Sequence, residues 1–350
     1  MAETAERRAR VERLLEAART LADGQSSAGR ALRARLLETT GLASASIERA
    51  LTHALETQAS DAELQALLGS TPRAPRAHVL LSSNVFVAAL RAIAIGVACS
   101  ATLQVRASRR DPALAEALHT LAPNLFELTS ALSPQPGEHF WAYGTDATLS
   151  ELRASLPRGV WLHGHGAGFA GIVVDAGTWS ATDARAIALD TALFDQQGCL
   201  SPRVVCVLGS AAQARSIAGA IANALQALER ELPPGAKTAE EEAEMRSNRD
   251  AAAYAFELFD AGSGWVSCSA ELVVPPSQRN LHVVDTKDPV ALLAPFAAQL
   301  TGIASNLAAL QDQLRSAFAG TRLVALGELQ CPPLDGPVDR RQGTLGELLS

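Results

Sequence analysis

Paired cysteines are missing from this chain. Its five cysteines (Cys99, Cys199, Cys206, Cys268 and Cys331) form an odd, scattered set with no Cys-x-x-Cys spacing. That excludes a disulfide framework and the common zinc spacings, and it points to a reducing, cytoplasmic compartment. Positive charge is also short: 30 Lys and Arg against 37 Asp and Glu leave a net charge of −7. No global field therefore draws nucleic acid. The opening stretch "MAETAERRARVERLLEAARTL" lacks an apolar secretory core and reads as an amphipathic helix, so no secretory signal is expected. The longest apolar run, "VFVAALRAIAIGVACSATL" from Val85 to Leu103, carries Arg91 near its middle. An unpaired charge there would cost about 2.5–3.5 kcal/mol in a bilayer. Gly96 and the β-leaning "ATLQV" instead suggest a buried helix followed by a strand, and no integral membrane segment is expected. Aromatics are sparse at 4%, whereas 48% of residues are apolar, with Ala and Leu giving a helical tendency. No repeat of solenoid period is present.

What is present has α/β texture. Residues 2–70 read as three or four helices. From His78 on, strands ("HVLLSS", "ATLQVRA", "LFELT", "HFWAY", "VWLHG", "GIVV") alternate with helices at 85–98, at "DPALAEALHTL" and at "DATLSELRASL". Alternation of this length implies βαβ units and a mainly parallel sheet. The pattern resumes with a helix over 180–192, the strand "RVVCVLG" and a helix capped by Ser210 running to about Leu232, then a charged helical segment to about 259. The strands "GWVSCS", "ELVV", "LHVVD", "TGIAS" and "RLVAL" follow, with helices at 287–299 and 306–319. Two α/β halves result, with Cys199 near their junction, and ligands are expected at the carboxyl ends of strands.

"GAGFAG", Gly166 to Gly171, satisfies a dinucleotide pattern in letters, but a β-branched run follows where a helix is required, so it is rejected. His163 and His165 in "HGHG" have no carboxylate or further histidine nearby. This reading sets them on opposite faces of a strand, as ordinary loop histidines with no metal. "VRASRRD" gathers Arg106, Ser108, Arg109 and Arg110 after a strand; a phosphate cradle and a solvated turn are equally compatible with it. Cys199, in "FDQQGCLSPR", has a glycine before it and a turn after it. Taken alone, a buried structural cysteine is favoured there.

The Cys199 stretch nevertheless resembles the active-site segment of the long-chain fatty acyl-CoA reductases of bacterial bioluminescence operons (LuxC type), a branch of the aldehyde dehydrogenase superfamily. "HVLLSSNVF", "LQVRASRRDP", "YGTDATLSELRASLP" and "GHGAGFAGIVV" resemble further family segments in family order. "GELQCPPLDGPVDRRQGTLGEL" is similar to the C-terminal signature, and the resemblance runs from about residue 77 to 347. It implies an aldehyde dehydrogenase-like α/β fold with two Rossmann-like domains. The implied division is a helical region over 1–72, a cofactor domain over 73–193, a catalytic domain over 194–330 and a tail over 331–350. It also implies reduction of a fatty acyl-CoA or acyl-carrier thioester to the aldehyde with NADPH. Cys199 would be the nucleophile, and Asn84 with the Cys199 N–H would stabilise the oxyanion. Cofactor contacts are implied at Ser83, Arg106, Ser108, Arg109, Gly144, Thr145 and Gly164, with Arg106, Ser108 and Arg109 favouring NADPH.

The departures from the family carry information too. Where oxidising aldehyde dehydrogenases have a glutamate base, this chain has "LHGHGAG" with no carboxylate, which favours reduction over hydrolysis. Three departures bear on cofactor geometry or assembly, and the first two of them motivate a second reading, a catalytically inactive relative acting as a binding or assembly subunit. The chain is short with little room for the dimerising hairpin, "VVPPSQRNLHVV" replaces the ribose-holding Glu-x-Phe-Gly-Pro segment, and the signature stops at Ser350. Acyl chain length, and assembly as a homo-oligomer or with a partner subunit, stay open.

Overall fold

The computed structural model describes residues 2–341 and 346–350. It divides into two compact units, the first of Met1–Thr40, Ile47–Ala167 and Cys331–Ser350, the second of Gly41–Ser46 and Gly168–Gln330. Four helices come first: α1 (Ala2–Ala22), α2 (Ser27–Thr39), α3 (Ser44–Arg49) and α4 (Asp61–Ser70). Their ends are written in the sequence. Ser60 caps α4 with a reciprocal Glu63 capping box, and Ser26 caps α2.

The α/β part of the first unit then runs β1 (Ala77–Leu80), α5 (Ala88–Cys99), β2 (Leu103–Arg106), α6 (Ala113–Leu121), β3 (Glu127–Leu128), β4 (His139–Tyr143), α7 (Asp146–Ser155) and β5 (Trp161–His165). These strands are parallel in the order β3-β2-β1-β4-β5, the doubly wound arrangement. Helix α5 is buried along its length from Leu90 to Cys99. Gly96 allows this, since a Cβ there would lie 2.7 Å from Leu103. Arg91, the charge that interrupted the apolar run, is buried but paired. It bonds Glu56 and donates to the carbonyls of Pro332, Pro333 and Gly336. The C-terminal signature is thereby tied to the first unit.

In the second unit the order is β6 (Phe169–Asp175), α8 (Ala181–Ala192), β7 (Pro202–Leu208), α9 (Ala211–Leu228), α10 (Ala239–Ala255), β8 (Glu257–Ala261), β9 (Gly264–Cys268), β10 (Leu281–Thr286), α11 (Pro289–Leu293), β11 (Leu300–Ser305), α12 (Gln311–Ala317) and β12 (Arg322–Val324). The sheet order is β12-β11-β6-β7-β10-β9-β8, parallel except for β8. Helix α9 starts at a Ser210–Gln213 capping box. It buries Ala214, Ile217, Ala218, Ile221, Ala222, Leu225 and Leu228, one face at helical spacing. β13 (Glu347–Leu348) belongs to the first unit and pairs antiparallel with β5.

Several local expectations are corrected. "ELVV" is not a strand, because Pro275 and Pro276 follow it and remove two ladder donors. The charged helix ends at Ala255, and Glu257–Ala261 forms β8, which turns back on β9 through Gly262 at φ +77°. Helices in the 287–299 and 306–319 regions are shorter, at Pro289–Leu293 and Gln311–Ala317, each flanked by 3₁₀ turns. Residues 342–345 of the C-terminal signature lie outside the described residues. Among the described residues no helix is long and apolar enough to cross a membrane.

Candidate active site

In the first unit, adjacent strand ends collect the residues expected to hold a cofactor. Leu80 of β1 pairs with Arg106 of β2 and with Ala142 of β4, and Ala142 pairs with Gly164 of β5. Ser83 and Asn84 therefore follow the carboxyl end of β1, Ser108 and Arg109 that of β2, and Gly144 and Thr145 that of β4. Strand order reverses between β1 and β4, and the crevice outside such a reversal is where doubly wound sheets bind dinucleotides. The glycines leave room there, for a Cβ on Gly144 would press Thr148 at 3.3 Å and one on Gly164 would press Leu149 at 3.2 Å. Thr145 caps α7 by accepting the Thr148 N–H at 3.2 Å. Among the described residues, the Arg106, Arg109 and Arg110 side chains have no ion pair or hydrogen bond of their own. The residues present fit a dinucleotide. "GAGFAG" runs directly into β6, as its sequence context required.

His163 and His165 correct an expectation. Both lie on β5, two apart, and period-2 geometry puts such residues on one face, not on opposite faces. Trp141 stacks on His163 with centroids 4.3 Å apart, and Tyr143 stacks on His165 at 4.5 Å, each directly across the β4–β5 register. His163 Nε2 meets His139 Nδ1 at 2.8 Å. Burial pushes His139 down to about 4 and His163 to about 3. At neutral pH the pair is uncharged, one ring donating and the other accepting.

In the second unit, Cys199 differs from the deeply buried thiols. Cys99 and Cys206 are buried, and that burial pushes both up to about 12, outside nucleophilic chemistry. Cys268 is also raised by burial. Cys199 is half-buried, on a turn closed by the Ser201 N–H donating to the Gly198 carbonyl at 3.0 Å. Its own carbonyl accepts from the Thr301 hydroxyl.

The turn is held by residues the sequence reading passed over. Phe194, Asp195 and Gln196 all have left-handed backbones (φ 58°, 50° and 62°), as do Gln278 and Arg279 (φ 84° and 66°). Each such residue costs on the order of 1–3 kcal/mol and persists only when its surroundings over-determine it. Here they do. Asp195 pairs with Arg279 at 2.8 Å and accepts the Gly235 N–H at 2.9 Å, while Arg279 also donates to the Leu232 and Pro233 carbonyls. The Gln196 amide donates to the Pro202 and Asn280 carbonyls and accepts the Asn280 N–H at 2.8 Å. Below the turn, Gln330 bonds the Ser201 hydroxyl and the Asp190 carbonyl. Burial raises the Asp190 carboxyl to about 7. The polar run Asp195–Gln197 inside apolar surroundings was the available signal, but its partner segment lies 84 residues away.

One expectation about position is also revised. Cys199 does not lie at a carboxyl end, for it precedes β7 and sits at the amino edge of the second sheet. The carboxyl-end rule describes nucleotide crevices, and the braced cysteine turn lies outside it.

Two parallel-sheet α/β units with a helical leading region define the aldehyde dehydrogenase-like fold, and solved structures agree. An oxidoreductase from Marinobacter aquaeolei superposes with a TM-score of 0.68 at 11% identity, over 93% of this chain and 79% of that one. An NAD-dependent benzaldehyde dehydrogenase from Corynebacterium glutamicum gives 0.67 at 12%, over 92% and 80%. A Mycobacterium tuberculosis aldehyde dehydrogenase complexed with NAD+ gives 0.63 at 13%, over 92% and 78%. At such identities the likeness establishes the fold alone. No curated protein matches the sequence. The family model for acyl-CoA reductase (LuxC) matches residues 137–312, just over half of the chain, and the chain belongs to that family.

Proposed function

We propose that the protein reduces a fatty acyl thioester, on CoA or a carrier protein, to the aldehyde through an acyl-enzyme on Cys199, with NADPH as reductant. The observation that carries this reading is the presentation of a half-buried cysteine on a turn that directly follows a strained, over-determined segment, in a chain of the acyl-CoA reductase family. The Cys199 thiolate attacks the thioester carbonyl, the carbonyl–sulfur bond to the carrier breaks, and the carrier thiol leaves. The Asn84 amide and the Cys199 N–H take the oxyanion; one such donor is typically worth about 2.7–4 kcal/mol. When bound, NADPH supplies the hydride. Ser83, Gly144, Thr145 and Gly164 hold the dinucleotide, and Arg106, Ser108 and Arg109 take its extra phosphate. Collapse of the Cys199 hemithioacetal then releases aldehyde and regenerates the thiolate.

The test is intact-protein mass after mixing with a medium-chain acyl-CoA, before and after NADPH. An adduct on Cys199 that NADPH discharges, with aldehyde formed, is expected. No adduct across several chain lengths would transfer the reading to a non-catalytic binding subunit.

A further inference from the structure

Strand β6 is met by an irregularity on each side of its amino end. On β11, Leu300 pairs with Phe169 and Gly302 with Ala170, which leaves Thr301 as an extra residue. On β7, Pro202 pairs with Ala170 and Val204 with Gly171, which leaves Arg203 as another. Bulges of this kind re-aim a side chain and recur beside active sites. Both extra residues tether a neighbouring segment. Arg203 Nε donates to the Pro275 carbonyl at 2.7 Å, in the segment that also carries Arg279. Thr301 is fully buried, and its hydroxyl reaches the Cys199 carbonyl and, at 3.1 Å, the Phe169 carbonyl. Next to it, Gly302 leaves room for the residue after the cysteine. A Cβ on Gly302 would lie 3.0 Å from Leu329 and 3.6 Å from Leu200.

The Cys199 carbonyl is the group whose direction the turn's own hydrogen bond leaves open. The Ser201 N–H donates to the Gly198 carbonyl, so the peptide between Cys199 and Leu200 is the central one of a four-residue turn. Type I and type II turns share that bond and differ by a flip of the central peptide, about 150° in ψ of the second residue. Type II also needs a positive φ at the third residue, which Leu200 does not have. In the form present, the Thr301 hydroxyl bonds the carbonyl of this central peptide. The sulfur and the N–H of Cys199 hang from the same Cα. Rotation that swings the carbonyl therefore turns both of them relative to β7. We propose that Thr301 is a positioning residue for the nucleophile. Its hydroxyl, aimed by the β11 bulge, fixes the Cys199–Leu200 peptide and with it the direction of Sγ. The role in turnover rests on the acyl-enzyme reading, whereas the orientation of the thiol is measurable without any substrate.

The test compares the full chain with its Thr301→Val, Thr301→Ser and Thr301→Ala variants. Threonine and valine match in shape and differ by the hydroxyl. Serine and alanine differ by the hydroxyl without the methyl, so the comparison survives a Thr301→Val protein that does not fold. The first readout is the rate of Cys199 alkylation by iodoacetamide against pH, followed by peptide mass so that Cys268 and Cys331 do not contribute. Wild type and Thr301→Ser should alkylate alike, and Thr301→Val and Thr301→Ala should differ from them roughly tenfold. Reductase kcat should fall by a similar factor in the Thr301→Val and Thr301→Ala proteins, with KM for the acyl thioester nearly unchanged. A lowered melting temperature with wild-type alkylation in those two variants would overturn the proposal and leave Thr301 purely structural. A Thr301→Ser protein that behaves like Thr301→Ala would overturn it too, by assigning the effect to packing of the methyl. So would a kcat that ignores all three substitutions. Altered alkylation in the variants, with no acyl adduct on Cys199 in wild type, would support the positioning and count against the catalytic reading alone.

Discussion

Asp195 and Arg279 form a buried ion pair at 2.8 Å from two left-handed turns 84 residues apart. Neither turn is favourable alone, and each supplies the charge that holds the other. Removing one partner strands the other charge in the interior, a loss of about 3–5 kcal/mol. Arg279→Ala should therefore lower the denaturation midpoint sharply. The double variant Asp195→Ala/Arg279→Ala should recover part of the loss, since no unpaired charge remains. Additive losses in that double-mutant cycle would show that the pair does not couple the turns.

The brace also bears on reactivity. Gln196→Ala deletes three hydrogen bonds to Pro202 and Asn280, directly beside the cysteine turn. The expected stability cost is about 1–3 kcal/mol. If the amide positions Cys199, the rate of alkylation by iodoacetamide should change in the folded variant, with the Gln196→Glu form giving a different pH profile. Unchanged alkylation kinetics would make Gln196 purely structural.

The neutral His139–His163 pair predicts acid sensitivity. Both imidazoles are held below the ordinary histidine value by burial, at about 4 and about 3. In the window between about 6.5 and 4 the unfolded chain binds protons that the folded chain does not. Stability is therefore present above pH 6.5 and is lost as pH falls, by up to roughly 1.4 kcal/mol per pH unit for each fully titrating ring. Thermal melts across this window should show the loss. A double His139→Phe/His163→Leu variant that remains folded should show a shallower dependence. An identical slope would assign the acid sensitivity to other groups.

Much of the architecture was legible because it is local. Capping residues, β-branched runs and helical apolar spacing placed β1, α5, β7 and the Ser210 start of α9 close to where they lie. β8 was missed because its Glu257 and Asp260 continue the charged texture of α10. The residues proposed for the cofactor were reached through resemblance; the strand register that aligns Leu80, Arg106, Ala142 and Gly164 then gave them a common end of the sheet. The brace was illegible for a physical reason. Left-handed backbones on Phe194, Gln196, Gln278 and Arg279 leave no glycine as a marker, and the contacts that enforce them are long-range.

Cofactor choice gives a separate prediction. Arg106 ends β2 and Arg109 lies three residues beyond it; among the described residues neither side chain has an ion pair or hydrogen bond, an arrangement suited to a bidentate phosphate contact. If they hold the 2′-phosphate, the Arg106→Ala/Arg109→Ala variant should raise KM for NADPH roughly ten- to a hundredfold. KM for NADH should move little. Equal changes for both cofactors would place the arginines elsewhere on the dinucleotide.

Cys199→Ala tests the proposed nucleophile apart from the scaffold. Turnover and the acyl adduct should vanish, whereas NADPH binding, which the proposed function assigns to residues of the first unit, should persist. Full reductase activity in this variant would end the acyl-enzyme reading. The absence of a carboxylate from "LHGHGAG" adds a second arm. Without a base to activate water, the wild-type acyl adduct should persist until reductant is added, and aldehyde should not be oxidised to acid with NADP+. Rapid spontaneous hydrolysis of the adduct, or robust acid formation, would require a base from elsewhere in the chain. His139 and His163, as a pair, are poor candidates, because each nitrogen facing the other is already engaged at 2.8 Å.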